Sequence, residues 1–235
     1  MSKQYKNQHE KRMKITISEL SGYVTGKEKT LNIGVSDIDI MLLSFFQNLY
    51  FAVPSNLYSS QDEIKRNIIQ LDIIDKEIET KEKFDIIIFT EVLEHLMADD
   101  ESVIKNLYNL LHNQGILIFS VPNAVTLLNR FKIIFGQNIY WDKSDIIKGV
   151  YGGFGHIREY TFSEVQRLLS IHFDILLIKG INGYRNGIKR IINLLPKTFS
   201  NTIFVICRKK PEVAIENKNV EKLEICQNKK DITYK

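Results

Sequence analysis

The chain has 235 residues, of which 44% are hydrophobic and 26% charged, and its net charge is +4 from 32 basic and 28 acidic side chains. This length is enough for one α/β domain with a full hydrophobic core and by itself suggests one or two domains, and the composition is ordinary for a globular protein. The small basic excess argues against a nucleic-acid-binding protein, because such proteins usually concentrate Lys and Arg on one face.

Cysteine content and the N-terminal sequence indicate the cellular compartment. Cys207 and Cys226 are too few for a disulfide framework, so we expect a reducing, cytoplasmic environment. Residues 1–14 are polar and lack the apolar core of a signal peptide. The longest apolar runs are well short of the roughly 18 residues of a membrane helix, which predicts a soluble protein.

The elements, in chain order, alternate strands with helices. Residues 1–29 are predicted to be a helical leader, polar and frayed at first, with apolar positions at Ile15, Ile17, Leu20 and Val24 and an end near Gly26. Strands are predicted at 30–35, 49–53, 68–73, 84–90, 115–121, 172–179 and 202–207, and helices at 38–48, 99–112 and 161–171. This alternation indicates β-α-β crossovers and a mostly parallel sheet over residues 30–208.

Two regions depart from that alternation. Residues 122–160 contain aromatic residues and glycines without a clear strand, and we predict a lid or substrate-binding insertion there. Residues 209–235 are charged and have few large apolar side chains, which predicts a mobile tail.

The first candidate site residues follow predicted strands, because ligands of open parallel sheets bind at the carboxyl ends of strands. Gly34 would let backbone amides approach a ligand, and Ser36 could cap the next helix. Asp72 ends the third predicted strand, where its carboxylate could accept a hydrogen bond from an exocyclic amine. The alternatives are an ordinary strand-to-helix turn and a surface aspartate.

A second candidate segment, residues 90–96, follows the fourth predicted strand. Glu91 and Glu94 are three residues apart and would share one face if this turn were helical. His95 adds an imidazole over the sheet edge. Further ligands at defined spacing are missing, so the sequence predicts no metal site. The alternative is an acidic helix start that suits the helix dipole.

A third candidate segment, residues 152–161, combines glycines, aromatic residues, a histidine and an arginine before a predicted helix. His156 on a mobile loop is a candidate general base, and Arg158 is a candidate substrate anchor. In the alternative, His156 bonds to backbone and Arg158 pairs with Glu159 or another acid.

Three segments of the sequence, taken together, resemble class I S-adenosylmethionine-dependent methyltransferases of small-molecule and glycan pathways. Residues 83–96 resemble the family's post-I region, residues 113–123 its fifth strand ending in Pro-Asn, and residues 155–163 its His-x-Arg segment. The resemblance implies a Rossmann-like three-layer sandwich. Its seven-stranded sheet would be mostly parallel with the last strand antiparallel, and the cofactor would be S-adenosylmethionine.

The resemblance also implies roles for individual residues. The turn at Gly34 and Ser36 would back the methionine and ribose end of the cofactor, and Asp72 would meet the adenine. Thr90 and Glu91 would line the pocket beside the sulfonium. His95 lies in the same segment, and we include it among the predicted cofactor-binding residues.

The chain departs from the family pattern at the cofactor loop, which is degenerate. Asn32 stands where the first strand usually ends in an acid, and Val35, Ser36 and Ile38 occupy places that are usually glycine. Residues 53–55 at the end of the second strand offer no acid for the ribose hydroxyls. Loss of a charge-assisted hydrogen bond should weaken cofactor binding.

The predicted activity is O-methylation of a small molecule, sugar or lipid-linked glycan, with His156 as base and Arg158 as anchor. The alternative is a non-catalytic protein of the same fold that acts as a binding or regulatory partner. Residues 184–197 and 125–135 mix apolar and basic positions and could rest on a membrane surface. Alternatively, these segments pack over the sheet and cover the substrate pocket.

Overall fold

A computed structural model describes residues 3–34, 40–54, 67–76, 78, 80–140, 142, 144, 155–182 and 196–212. The strands are β1 (Lys29–Ile33), β2 (Asn48–Val53), β3 (Asn67–Gln70), β4 (Phe84–Thr90), β5 (Leu111–Pro122), β6 (Phe173–Ile181) and β7 (Thr202–Lys209). The helices are α1 (Lys3–Leu20), α2 (Ile40–Leu43), α3 (Asp100–Leu110), α4 (Leu127–Ile134) and α5 (Phe162–Leu169). Two 3₁₀ turns span Leu93–His95 and Lys197–Phe199.

The strands form one seven-stranded sheet in the order β3-β2-β1-β4-β5-β7-β6. Neighbouring strands from β3 to β5 are parallel, whereas β7 runs antiparallel to both β5 and β6. The predicted α/β fold with an antiparallel last strand is therefore confirmed. Strand order reverses between β1 and β4, and the crevice at the carboxyl ends of these two strands is where such sheets bind ligands.

The sheet is buried on both faces, which makes the molecule a three-layer sandwich. Successive residues of β4 alternate between two apolar clusters, because side chains of a strand point to opposite faces. Ile87 and Phe89 pack with α3 and α5, and Ile86 and Ile88 pack on the opposite face with Leu20 of α1. A strand buried on both sides explains the near-continuous apolar sequence of β4.

The first helix is longer than the sequence predicts. The apolar positions from Ile15 onward predict only its second half, whereas α1 begins at Lys3 and ends at Leu20. Leu20 is fully buried, and Met13 and Ile17 pack against the same cluster. An ion pair between Glu19 and Lys179 of β6 adds a polar link. The packing of α1 on the sheet stabilises a helix whose isolated polar start would fray.

The C-terminal residues of β7 also differ from the prediction. Lys209 and Lys210, which were assigned to a mobile tail, are both buried. Lys209 Nζ donates to the carbonyl oxygen of Leu111 at 2.8 Å and lies 4.2 Å from the centre of the Tyr108 ring. Their aliphatic stems cover apolar surface while the ammonium groups reach backbone oxygens, so both residues pack against the sheet and its helices.

Several predictions fall outside the described residues. In the cofactor loop these are Val35, Ser36 and Ile38, together with the chain beyond residue 54 that follows the second strand. Further along, they are most of the part of the predicted insertion between 141 and 154, the basic segment at 183–195 and the predicted tail from residue 213. Within the described part of 122–160, the chain contains α4 and a single bridge between Asn123 and Tyr160. None of the described helices is both long and apolar enough to cross a membrane.

Candidate active site

The turn after β1 is open at Gly34. Its φ of +93° lies in the left-handed region, and no described residue comes within 4 Å of the position that a Cβ would occupy. The Gly34 amide donates to the carbonyl oxygen of Ala52 at 2.9 Å. Buried Asn32 donates from Nδ2 to the carbonyl oxygen of Gly34 at 3.0 Å. Asn32 therefore holds the turn in place by donating, which a carboxylate could not do.

Gly34 directly follows β1, and Thr90 is the last residue of the adjacent parallel strand β4. Both candidates are therefore at the carboxyl ends of the two strands between which strand order reverses, where open parallel sheets bind ligands. Asp72, by contrast, accepts a hydrogen bond from the Ile74 amide at 3.2 Å, so its carboxylate also closes its own turn.

The chain turns sharply at Glu91. Its φ of +56° is left-handed, which is uncommon for a residue with a side chain. The Glu91 amide donates to the carbonyl oxygen of Ser120 at 2.9 Å, and Oε1 accepts from Ser120 Oγ at 2.8 Å. The 3₁₀ turn begins only at Leu93. The condition for a helical face shared by Glu91 and Glu94 is therefore not met, because Glu91 precedes the 3₁₀ turn and its side chain accepts from Ser120 of β5.

His95 lies against the loop that carries His156. Its Nδ1 donates to the carbonyl oxygen of Gly155 at 2.7 Å, and the two imidazole centres are 5.1 Å apart in an edge-on arrangement. Burial lowers the pKa of His95; the hydrogen bond to Gly155 and the Glu91 carboxylate oppose this, whereas His156 adds to it. Because its pKa is lowered, His95 is neutral at physiological pH.

His156 is oriented by a carboxylate. Its Nδ1 lies 3.1 Å from Oε1 of Glu159, and both side chains are partly exposed. Because an ionised carboxylate can only accept, Nδ1 carries a proton, and in the neutral imidazole Nε2 then carries the lone pair. This is the tautomer that a base acting through Nε2 requires. The described partner of His156 is thus the side chain of Glu159.

Arg158 is held between two helices. Its guanidinium donates to Asp100 of α3 at 3.3 Å and to Glu164 of α5 at 2.8 Å, and it lies 4.9 Å from the Tyr160 ring centre. Tyr160 is buried and donates to Asp100 at 2.9 Å; burial and this bond raise the pKa of Tyr160. The ion pairing that the sequence offered as the alternative to a substrate anchor is thus observed, with Asp100 and Glu164 as the acids, and the anchoring role stays a prediction.

A cavity of about 640 Å³ opens beside Arg158. Leu96, Met97 and Ile157 supply apolar lining, and Asp100, Arg158 and Tyr160 supply polar groups. The guanidinium is half exposed. A space of this volume can accept a small organic molecule.

A family model for a methyltransferase domain matches residues 11–169, which is more than half of the chain. The chain belongs to this methyltransferase family. Membership confirms the predicted family, the predicted enzyme class and S-adenosylmethionine as the cofactor. A search of the curated proteins finds no match.

Solved methyltransferase structures share this fold at low sequence identity. The N-methyltransferase NodS from Bradyrhizobium japonicum WM9, in complex with S-adenosyl-L-homocysteine, is 16% identical, with a TM-score of 0.51 and 89% coverage of both chains. Magnesium protoporphyrin IX methyltransferase from Synechocystis PCC 6803 is 13% identical, with a TM-score of 0.56 and 89% coverage of both chains. A Burkholderia thailandensis 1,6-didemethyltoxoflavin-N1-methyltransferase is 14% identical, with a TM-score of 0.55, covering 85% of this chain and 78% of its own.

Two residues at the site of this methyltransferase have roles that the sequence did not predict. Glu159, named as a possible partner of Arg158, orients His156, and buried Glu94, named for its spacing from Glu91, accepts the Ile157 amide on its carbonyl oxygen at 2.8 Å, docking the loop on the 3₁₀ turn. The role of Glu159 had a local signal, since it lies three residues after His156. The docking role of Glu94 had none, because its contacts with the loop lie about 60 residues away in sequence.

Proposed function

We propose that this methyltransferase transfers the methyl group of S-adenosylmethionine to a hydroxyl oxygen of a small molecule, sugar or lipid-linked glycan. The observation that carries the proposal is the pair of His156 and Glu159, 3.1 Å apart and packed beside His95 at the carboxyl edge of the sheet. A hydroxyl is a weak nucleophile at neutral pH, so a positioned imidazole is useful for this acceptor.

The cofactor is proposed to lie along the crevice between β1 and β4. Gly34 and Ser36 would back its methionine and ribose end, Asp72 would meet the adenine, and Thr90 and Glu91 would lie beside the sulfonium. This placement is supported by two observations: none of the described residues comes within 4 Å of a Cβ built at Gly34, and Gly34 and Thr90 are at the carboxyl ends of paired parallel strands. When bound, S-adenosylmethionine supplies a methyl group that is already activated for displacement.

His156 is proposed to accept the proton of the acceptor hydroxyl. Glu159 holds Nδ1, so the proton passes to Nε2 as the oxygen attacks, and the resulting imidazolium is stabilised by the adjacent carboxylate. His95 is proposed to pack against the reacting groups and exclude water, since its own Nδ1 is engaged by Gly155. The protein otherwise acts by positioning the two reactants.

Arg158 is proposed to anchor the acceptor in the neighbouring cavity. Its guanidinium lines that cavity, is half exposed, and is fixed by Asp100 and Glu164. A fixed guanidinium binds an acceptor oxygen at a lower entropy cost than a freely rotating one.

Helix α4 supports a proposed contact with a membrane surface or a lipid-linked acceptor. It follows β5 directly, and Leu128, Phe131, Ile134 and Phe135 are at least half exposed there. Its charged residues are Arg130 and Lys132, both basic, which suits an anionic lipid surface.

Calorimetry with S-adenosylmethionine, followed by methyl-transfer assays, tests the proposed activity. Micromolar binding together with transfer of labelled methyl to a hydroxylated acceptor, released as an ether, supports it. No binding up to millimolar cofactor would instead favour a non-catalytic protein of this fold. Transfer only to amines would overturn the choice of oxygen as the acceptor atom.

A further inference from the structure

The side chains of Glu94, His95 and His156 form a cluster at the proposed active site that could also bind a metal ion. Each offers one potential metal ligand, and these atoms all lie within 4.8 Å of one another. Glu94 and His95 come from the 3₁₀ turn after β4, and His156 comes from the loop before α5. We propose that the cluster binds one divalent transition-metal ion at the carboxyl edge of the sheet.

The separations within the cluster suit a shared ion. Nε2 of His95 lies 3.8 Å from Oε1 of Glu94, which is beyond hydrogen-bond distance. Metal–nitrogen and metal–oxygen bonds of about 2.1 Å place two ligands of a tetrahedral ion about 3.4 Å apart. The cluster therefore binds an ion after side-chain rotations that shorten its longest separation, 4.8 Å at most, by about 1.4 Å.

Both imidazoles are held in the way that metal-binding histidines usually are. His95 Nδ1 bonds to the Gly155 carbonyl oxygen at 2.7 Å, and His156 Nδ1 bonds to the Glu159 carboxylate at 3.1 Å. Such outer contacts orient the ring and leave Nε2 as the ligating nitrogen. Two histidines that are both oriented through Nδ1 indicate a metal site more strongly than two histidines that are merely close together.

The backbone joins the two segments independently of the side chains. The carbonyl oxygen of Glu94 accepts from the amides of Ile157 at 2.8 Å and Arg158 at 3.4 Å. The Glu94 carboxylate is fully buried, where the attraction between a carboxylate and a cation is stronger than in water. The hydrogen bonds that dock the loop on the sheet edge therefore also hold the three proposed ligands close together.

The ligand set determines the class of ion. Two imidazoles and one carboxylate suit zinc, cobalt, iron or manganese, whereas magnesium and calcium prefer oxygen ligands. Three protein ligands leave a coordination position open for an exogenous oxygen, as in catalytic zinc sites.

The role of the ion in catalysis rests on the proposed function. The acceptor hydroxyl would take the open position, and coordination would lower its pKa so that its proton passes to solvent. The oxygen–methyl bond then forms as the sulfur–methyl bond breaks, and the sulfur keeps the electron pair. In the metal-bound enzyme His156 is a ligand, and the proton transfer assigned to it above belongs to the metal-free enzyme.

Titration of the metal-free full-length protein with Co²⁺ tests the site. Calorimetry gives stoichiometry and affinity, and the visible absorption of Co²⁺ reports nitrogen and oxygen coordination. We expect one ion per chain. His95→Gln and His156→Gln should each weaken binding by at least about 100-fold, and Glu159→Gln by about 10–100-fold as an outer contact.

His112→Gln is the matched control, because His112 is exposed at the opposite end of β5 and should leave Co²⁺ binding unchanged. Far-ultraviolet circular dichroism and melting curves show whether each variant folds. If a histidine variant unfolds, Glu159→Gln still tests the site, because it replaces a partly exposed side chain that is not a proposed ligand. Absence of stoichiometric binding, or binding that survives both histidine substitutions, overturns the metal site. Co²⁺ binding without transfer to any hydroxylated acceptor overturns the proposed activity alone.

Discussion

Nδ1 of His95 lies 2.7 Å from the carbonyl oxygen of Gly155, and this hydrogen bond joins segments 60 residues apart in the sequence. It places the histidine that follows β4 against the histidine that precedes α5, with ring centres 5.1 Å apart. The candidate site therefore depends on loop docking, and variants of the loop separate catalytic from structural roles.

Replacing His156 with Ala should reduce turnover much more than cofactor binding. Loss of a general base typically costs about 10²–10⁴ in rate, whereas the cofactor is proposed to bind along β1 and β4. Glu159→Gln should give a smaller loss in kcat, because the ring stays but loses its orienting charge. Steady-state kinetics and calorimetry with S-adenosylmethionine measure the two effects. Unchanged turnover in His156→Ala would refute the assigned role.

Replacing Arg158 with Met should raise the acceptor KM by about 10–100-fold, which corresponds to the roughly 1.5–3 kcal/mol of a charged hydrogen bond. The affinity for S-adenosylmethionine should stay the same. Asp100→Asn is the matched variant, since it keeps the guanidinium but removes one of its charged partners. An equal rise in KM in both variants would show that Arg158 only positions the loop.

Replacing Asn32 with Asp should destabilise the protein even though it introduces the acid that is usual in the family. The buried amide donates to the Gly34 carbonyl oxygen at 3.0 Å, and a carboxylate would face that oxygen without a donor. A cost of about 1–3 kcal/mol in the free energy of unfolding follows. Urea denaturation measures it, with exposed Asn109→Asp as the control. Tighter cofactor binding at unchanged stability would contradict this.

The protein should lose stability as pH falls below the ordinary histidine value of 6.5, in part through His172. Burial lowers the pKa of His172 in the folded state; Lys105 and Lys210 act in the same direction and Glu101 opposes them. The unfolded chain therefore binds more protons below that pH, so folding becomes less favourable. His172→Gln should flatten the fall in melting temperature between pH 7.5 and 5.5. An unchanged slope would exclude a contribution from His172.

Vesicles containing anionic phospholipid should bind the protein at low salt through α4. Phe131→Ser combined with Phe135→Ser should reduce flotation with such vesicles, because both side chains are at least half exposed. Tyr23→Ser, also at an exposed aromatic position but before β1, is the control. The absence of flotation by the unmodified protein at low salt would remove the membrane proposal.

The sequence alone predicted the sheet well, because buried strands have an unambiguous apolar pattern. β4 was predicted with the bounds it has in the structure, and the helix predicted to start at residue 161 is α5, with Thr161 as its N-cap. Thr161 forms a capping box with Glu164, so the signal for this helix start is entirely local. Family membership followed from the same local segments.

The tertiary structure decided how the site is assembled. The left-handed turn at Glu91 separates this residue from Glu94, and the docking of the loop brings His156 to His95. Neither is visible in the sequence, because backbone strain and contacts between distant segments leave no periodic pattern. The positions of strands along the chain and the types of residue at their ends are local properties of the sequence. The partner of each site residue is set by packing across the sheet edge.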